Sequence, residues 1–282
     1  MENIENKTME YLRKMFSLEG KNIVITGGAG SIGSKIAEGF GKSGARIAIC
    51  ARRNYDQVAE KLQKKKIDAR GYYIDVLNKP EIEKCCSKVI NDFKRIDVLL
   101  NAVGGNIPSA TTSKQTSFFE LPLEEFEKVV ALNLFGGAIL PCQVFGKSMV
   151  NNKNGGSIIN ISSMSAFKPL TKIPGYSAAK SAVSNFTQWL AVHFALEYNK
   201  NLRVNAIAPG FFLTKQNRFL LQDENGNLTE RGKTILKHTP AGRFGITDEL
   251  IGVCIWLASD ASRFVTGTVI PVDGGFSAYS GV

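Results

Sequence analysis

The sequence has no CxxC pair, and its five cysteines show no metal-ligand spacing. Cys85 and Cys86 are adjacent, Cys142 adds no such spacing, and Cys50 and Cys254 sit in apolar runs. That is how reduced, buried thiols of a cytoplasmic protein read. A disulfide framework is therefore not expected, and no metal is assigned. The first twenty residues mix Glu, Lys and Arg without an apolar core segment, which argues against a secretory signal. A short helix packed on the outside, or a loose tail, is expected there, so residues 1–18 read as an N-terminal extension. No stretch is read as reaching the length of a membrane span. The net charge of +10 lacks the pattern of a nucleic-acid binder. Lys64, Lys65 and Lys66 form the one basic run, on a helix face expected to be solvated, with no aromatic interleaving. Such a surface suits attraction of anionic small molecules. These absences leave a cytoplasmic location, with neither membrane nor nucleic acid as partner.

What is present is 44% hydrophobic content, ample for one α/β domain, taken here as residues 19–282. The short apolar run with β-branched residues at 21–26 reads as a buried parallel strand, and further strand candidates fall at 46–51, 70–75, 97–101, 156–162, 202–208 and 268–272. Helical patterns fill 32–42, 55–65, 79–94, 123–151, 175–199 and 247–258. This alternation predicts a Rossmann-like doubly wound parallel sheet of about seven strands with helices on both faces. Right-handed crossovers then bring every strand's C-terminal end to one rim, where ligands bind.

Two motifs should meet on that rim. After the strand ending at Thr26 comes Gly27-Gly-Ala-Gly30-Ser31-Ile32-Gly33, then a helix. Glycines let the backbone turn tightly and approach a pyrophosphate, and the helix N-terminus offers N–H groups and a positive dipole end. An ordinary glycine-rich turn is the plainer alternative, but its place between strand and helix favours dinucleotide binding. The second motif is Tyr176-Ser-Ala-Ala-Lys180. On a helix these two side chains share a face, one turn apart. An ammonium ion beside a phenol stabilises phenolate, so the Tyr can exchange a proton with a carbonyl or alcohol. Alone the pair could equally be a surface Tyr with a Lys one turn on.

T-G-x-x-x-G-x-G in Thr26–Gly33, followed by a distant YxxxK, resembles the short-chain dehydrogenase/reductase family. Ser31 departs from it, standing where the family has its middle glycine; Gly30 is expected to take over part of the turn. The resemblance covers about residues 19–282. It implies that Asn101, Ala102 and Gly104 shape the cofactor cleft, and that Asp75 at the end of the third strand, with Val76, contacts adenine. Pro209, Gly210 and Thr214 would position the nicotinamide. Asn133 would hold a water of the proton relay, Ser163 would hydrogen-bond the substrate carbonyl, and Lys180 would lower the pKa of Tyr176 and bond the nicotinamide ribose. Helices 123–151 and 175–199 resemble the pair that forms a four-helix interface, which implies a homotetramer.

An acidic side chain at the end of the second strand would bind the ribose 2′-hydroxyl of NAD. None is there: Ala51 is followed by Arg52 and Arg53. A small residue leaves room for a 2′-phosphate, and a guanidinium can pair with it. NADP(H) is favoured, with NAD(H) the alternative if Arg52 merely stacks on adenine.

For substrate, the loops 104–122 and 211–240 stand out. Asn106, Lys172, Lys215, Asn217 and Arg218 lie in or beside segments expected at the rim. Amides and cations suit a polyhydroxylated anion better than a lipid, although the cations could be merely solvated. The strings NAVGGNIPSATT, SSMSAFKPLTKIPGYSAAK, APGFFLTKQNRFLL, HTPAGRFG and VIPVDGGFSAYSGV resemble the D-mannonate oxidoreductase (fructuronate reductase) branch of the family. That branch interconverts D-fructuronate and D-mannonate, and Lys172, Lys215 or Arg218 would then receive the carboxylate. A sibling acting on 5-ketogluconate, or a non-catalytic cofactor-binding scaffold, are the alternatives.

Overall fold

The computed structural model describes residues 2–214 and 217–281. Its strands fall on the seven candidate segments: β1 Asn22–Thr26, β2 Arg46–Ala51, β3 Ala69–Tyr73, β4 Val98–Asn101, β5 Gly156–Ile161, β6 Leu202–Pro209 and β7 Val269–Val272. They pair in parallel in the order β3-β2-β1-β4-β5-β6-β7. Side chains alternate across the sheet, so Ile23, Ile25, Val98 and Leu100 enter one buried cluster while Val24 and Leu99 enter the other. Each face is closed by helices, as the two-sided burial of such strands requires. The order reverses between β1 and β4, and that is where a crevice opens at the strands' C-terminal ends.

The helices are α1 Glu2–Phe16, α2 Ser31–Lys42, α3 Tyr55–Gln63, α4 Lys79–Phe93, α5 Leu123–Val130, α6 Leu140–Met149, α7 Pro174–Glu197, α8 Arg218–Leu221, α9 Glu230–Lys237 and α10 Ile251–Ala258. A π-helical stretch, Ala131–Ile139, joins α5 to α6 without a break. The expected helix 123–151 is therefore one rod with a wider, underwound centre, a local irregularity often found at functional sites. By length and composition Leu123–Met149 could cross a membrane, with a mean hydropathy of 1.7 in its most apolar window. The expectation that no stretch reaches span length does not hold for this helix. More than half of that window is buried, and the helix packs on α4 and α7, as a core helix does.

Several boundaries differ from the sequence expectation for local reasons. β3 ends at Tyr73, so Asp75 lies beyond the strand; its carboxylate accepts from Leu77 N at 3.0 Å and its carbonyl from Asn78 N at 3.1 Å, which turns the chain. α3 stops at Gln63, and the chain leaves it through Lys66 in a left-handed conformation, φ 63°. The residues after β6 are not a bare loop: they form α8 and α9, the latter capped by the Thr229 hydroxyl, which accepts from Gly232 N at 3.0 Å. Residues 104–122 contain two single 3-10 turns, Pro108–Ala110 and Phe118–Glu120. Of the two expectations for the N-terminus, the helix is the one found.

Candidate active site

The glycine loop turns tightly at the mouth of the crevice. Gly27 has φ +70°, and a Cβ on it would lie 2.7 Å from Ala102 O. A Cβ on Gly33 would lie 2.5 Å from Gly27 O, so both positions need glycine for steric reasons. Gly30 N closes the turn onto Gly27 O at 2.9 Å. Ser31 needs no glycine conformation, because it is the first residue of α2, and no side chain caps that helix. Its N-terminal N–H groups are thus directed to the crevice for an anion.

A cleft of about 200 Å³ continues from the loop, lined among others by Gly27, Gly30, Ala51, Arg52, Asp75, Val76, Ala102, Gly104 and Leu132. Arg53 and Ile32 are not in that lining; Arg53 is exposed and Ile32 packs against the core. Asn101 is fully buried behind the cleft: its amide donates to Asn160 Oδ1 at 2.9 Å and its Oδ1 accepts from Thr26 Oγ1 at 3.2 Å. It shapes the cleft by holding strands, not by facing a ligand. The glycine cradle, the uncapped helix end and a cleft without a carboxylate at the end of β2 fit a dinucleotide.

Tyr176 and Lys180 stand on the first turns of α7, as their spacing predicts. Lys180 is 3% exposed, and its ammonium lies 5.8 Å from the Tyr176 ring centre and donates to Ile161 O at 2.7 Å. Burial lowers its pKa to about 8. Burial raises the Tyr176 phenol above its ordinary value, and a hydrogen bond with the Ser163 side chain pulls it back. The expectation that Lys180 sets the phenol's pKa therefore meets a different balance, in which burial is the largest influence. Ser163 follows β5, and its Oγ also accepts from Ser165 N at 3.1 Å.

Asn133, from the π stretch, is buried and has both ends of its amide engaged. Oδ1 accepts from Gly105 N at 3.0 Å, and Nδ2 donates to Gly105 O at 2.7 Å and to Val129 O at 2.9 Å. A Cβ on Gly104 would sit 2.6 Å from Asn133 Oδ1 and 2.9 Å from Lys180 Nζ. One glycine thus lets the amide and the ammonium converge. Sequence reasoning missed Gly105 and Ile161 as partners, because both act through backbone atoms that carry no residue signature.

The loop after β6 starts where Pro209 ends the strand and Gly210 passes close to Asp273. Asn217 is turned into this loop: its Oδ1 accepts from Thr214 N at 2.8 Å and Thr214 Oγ1 at 3.1 Å, and its Nδ2 donates to Phe212 O at 2.7 Å. Both ends of the Asn217 amide are thus engaged within the loop itself. Arg218 is exposed beside it, and Lys215 lies outside the described residues. Asn106 is exposed and donates to Thr111 Oγ1 at 2.7 Å. Lys172, in a left-handed conformation of φ 71°, borders a second cleft of about 560 Å³ with Thr112, Phe118 and Ser165. It is not in the lining of the dinucleotide cleft.

A phosphate-type glycine loop at the switch point of a parallel sheet, with a buried Lys and a Tyr on the facing helix, defines a dinucleotide-dependent oxidoreductase. Known proteins agree. The family model described as enoyl-(acyl carrier protein) reductase matches residues 27–277. A solved structure described as a candidate D-mannonate oxidoreductase from Haemophilus influenzae, with bound NAD, is 44% identical with a TM-score of 0.88, covering 94% of this chain and 98% of that one. The 5-keto-D-gluconate 5-reductase of Escherichia coli K12 is 36% identical over 266 residues, 94% of this chain and 98% of its own. The gluconate 5-dehydrogenase of Burkholderia cenocepacia J2315, solved with NADP and tartrate, is 28% identical with a TM-score of 0.84, covering 95% of this chain and 99% of that one. The chain belongs to the short-chain dehydrogenase/reductase family of NAD(P)-dependent oxidoreductases.

Proposed function

We propose that this enzyme interconverts D-fructuronate and D-mannonate, with Tyr176 as the acid/base. The observation that carries the chemistry is the Tyr176 phenol, hydrogen-bonded to Ser163 and set beside the buried Lys180 ammonium. Burial keeps that phenol protonated at neutral pH, which suits donation to a carbonyl oxygen in the reducing direction. In the oxidising direction the same oxygen, as phenolate, takes the proton of the alcohol, and the Lys180 charge favours that form. Ser163 offers its hydroxyl to the substrate oxygen, and Asn133 fixes the Gly104–Gly105 segment against Lys180. A bound nicotinamide dinucleotide supplies the hydride chemistry. Gly27, Gly30, Gly33 and the start of α2 hold its pyrophosphate. NADP(H) is favoured because Ala51 and Arg52, with no acidic side chain at the end of β2, line the cleft.

The sugar-acid class rests on similarity to the D-mannonate oxidoreductase structure across 94% of this chain. Arg218, Lys172 and Lys215 are the candidates for the carboxylate. Similarity to the 5-ketogluconate and gluconate enzymes supports gluconate as the second substrate to try. Residues 19–282 act as one unit. A homotetramer in the cytoplasm is proposed from the exposed Trp189, Val192 and Leu196, which share one face of α7, and from five free, buried cysteines. Initial-rate oxidation of D-mannonate and D-gluconate, each with NADP and NAD, tests the reading. Turnover of mannonate well above gluconate supports it; turnover of gluconate alone transfers the chain to the gluconate branch.

A further inference from the structure

Consecutive residues at the end of β5 each bond into α7. Asn160 Nδ2 donates to Thr187 Oγ1 at 2.9 Å, and Ile161 O accepts from Lys180 Nζ at 2.7 Å. Ser162 Oγ donates to Lys180 O at 3.0 Å and shares a 2.7 Å bond with Ser184 Oγ, and Ser163 bonds Tyr176. Asn160, Ser162 and Thr187 are at most 1% exposed. Hydroxyls and amides are costly to bury, and Val or Ala would fill the same space without that cost. Polar bonds in a low-dielectric interior are directional, whereas the contacts of Val183, Leu190 and Ala191 on the same helix let it slide.

The sheet side of this link is itself pinned. Ser162 N donates to Ile207 O at 2.8 Å, and Asn160 Oδ1 accepts from Asn101, which in turn accepts from Thr26, the residue before the glycine loop. A continuous hydrogen-bonded path therefore runs from the dinucleotide loop on β1, through β4 and β5, into α7.

We propose that Ser162 and Thr187 are positioning residues, which hold α7 in register with β5 so that Tyr176 meets Ser163 while Lys180 stays against Gly104. Neither touches the cleft: Ser162 acts through the Lys180 carbonyl and Thr187 through Asn160. The inference rests on the roles given above to Tyr176, Ser163 and Lys180. It extends them by naming what sets their geometry.

Thr187→Val keeps the side-chain shape and removes the oxygen; Thr187→Ser restores the hydroxyl; Ser162→Ala removes the second tie. Each would be tested for kcat and KM with D-mannonate, for Tm, and for Tyr176 titration by tyrosine ring-carbon NMR, with Tyr176→Phe assigning the resonance. Misplacing a reacting group by a fraction of an ångström is expected to lower kcat by about tenfold or more in Thr187→Val and Ser162→Ala, with KM within about twofold. Thr187→Ser should recover most of it. Lys180 is the charged group facing the Tyr176 ring, and β5 presents the Ser163 hydroxyl to it. Weakening the Ser163 bond should therefore raise the Tyr176 titration midpoint. A fall in Tm with kcat and the Tyr176 midpoint unchanged would reduce both residues to packing and overturn the proposal. Should Thr187→Val fail to fold, Ser162→Ala and Thr187→Ser carry the same test. Full turnover by Tyr176→Phe would instead remove the catalytic reading, and the NMR midpoint would still decide the register.

Discussion

Asn133 and Gly105 exchange two hydrogen bonds, Gly105 N to Asn133 Oδ1 at 3.0 Å and Asn133 Nδ2 to Gly105 O at 2.7 Å. This clamp ties the segment after β4 to the π-helical centre of the long helix. It also brings Gly104 so close to Lys180 that no side chain fits between them.

Gly104→Ala is expected to push the Lys180 ammonium and the Asn133 amide apart, because its Cβ would lie 2.9 Å and 2.6 Å from them. Overpacking of this kind costs about 1–3 kcal/mol, and the displaced Lys should lower kcat by about a hundredfold. Steady-state kinetics with thermal unfolding checks both; wild-type kcat would show that the segment yields freely.

Lys180, with its pKa lowered to about 8 by burial, is charged at neutral pH and loses its proton as pH rises through that value. The reduction rate should be level near neutrality and fall above pH about 8. Stability moves the other way. Between about 8 and the ordinary 10.5, the unfolded chain holds a proton that the native chain has released, so this group's contribution to stability rises with pH. Tm measured against pH for wild type and Lys180→Met reads it: the wild type should gain on the variant across that window. Parallel curves would show that Lys180 titrates normally.

Arg52 borders the cleft beside Ala51 and Arg53 does not. Arg52→Ala should weaken NADPH by about tenfold or more, the size of a charge-assisted hydrogen bond, and change NADH little. Arg53→Ala should change neither, and Ala51→Asp should turn preference toward NADH. Fluorescence titration of the reduced cofactors measures these; equal losses for NADPH and NADH in Arg52→Ala would withdraw the 2′-phosphate assignment.

Asn217 and Arg218 are neighbours with different expected effects. Asn217→Ala should loosen residues 212–214, lowering turnover of every substrate alike, since its amide holds Thr214 and Phe212. Arg218→Ala should raise KM for an acid substrate more than for its neutral analogue. Identical profiles for the two variants would take Arg218 out of the carboxylate role.

The strand, glycine turn and helix from Asn22 to Lys42 were legible because each signal is local: β-branched residues, a positive φ only glycine takes easily, and a helical period. The Tyr176–Lys180 face was legible for the same reason. The engagement of the Asn217 amide within its own loop was not legible, because an amide's type does not say which way it points. Asp75 misled because a turn closed by its own carboxylate and carbonyl ended β3 early. α8 and α9 are short helices in a polar segment, where periodicity has too few residues to show.

By itself the sequence determined the parallel sheet, the phosphate turn and which side chains could exchange a proton, since these follow from backbone preference and side-chain chemistry within a few residues. Only the tertiary structure decided that Lys180 donates to Ile161 O, that Asn133 grips Gly105, and that burial is the largest influence on the Tyr176 phenol. Those are contacts between distant segments, often through backbone atoms identical in every residue, and their energies depend on a dielectric that exists only once the chain has closed around them.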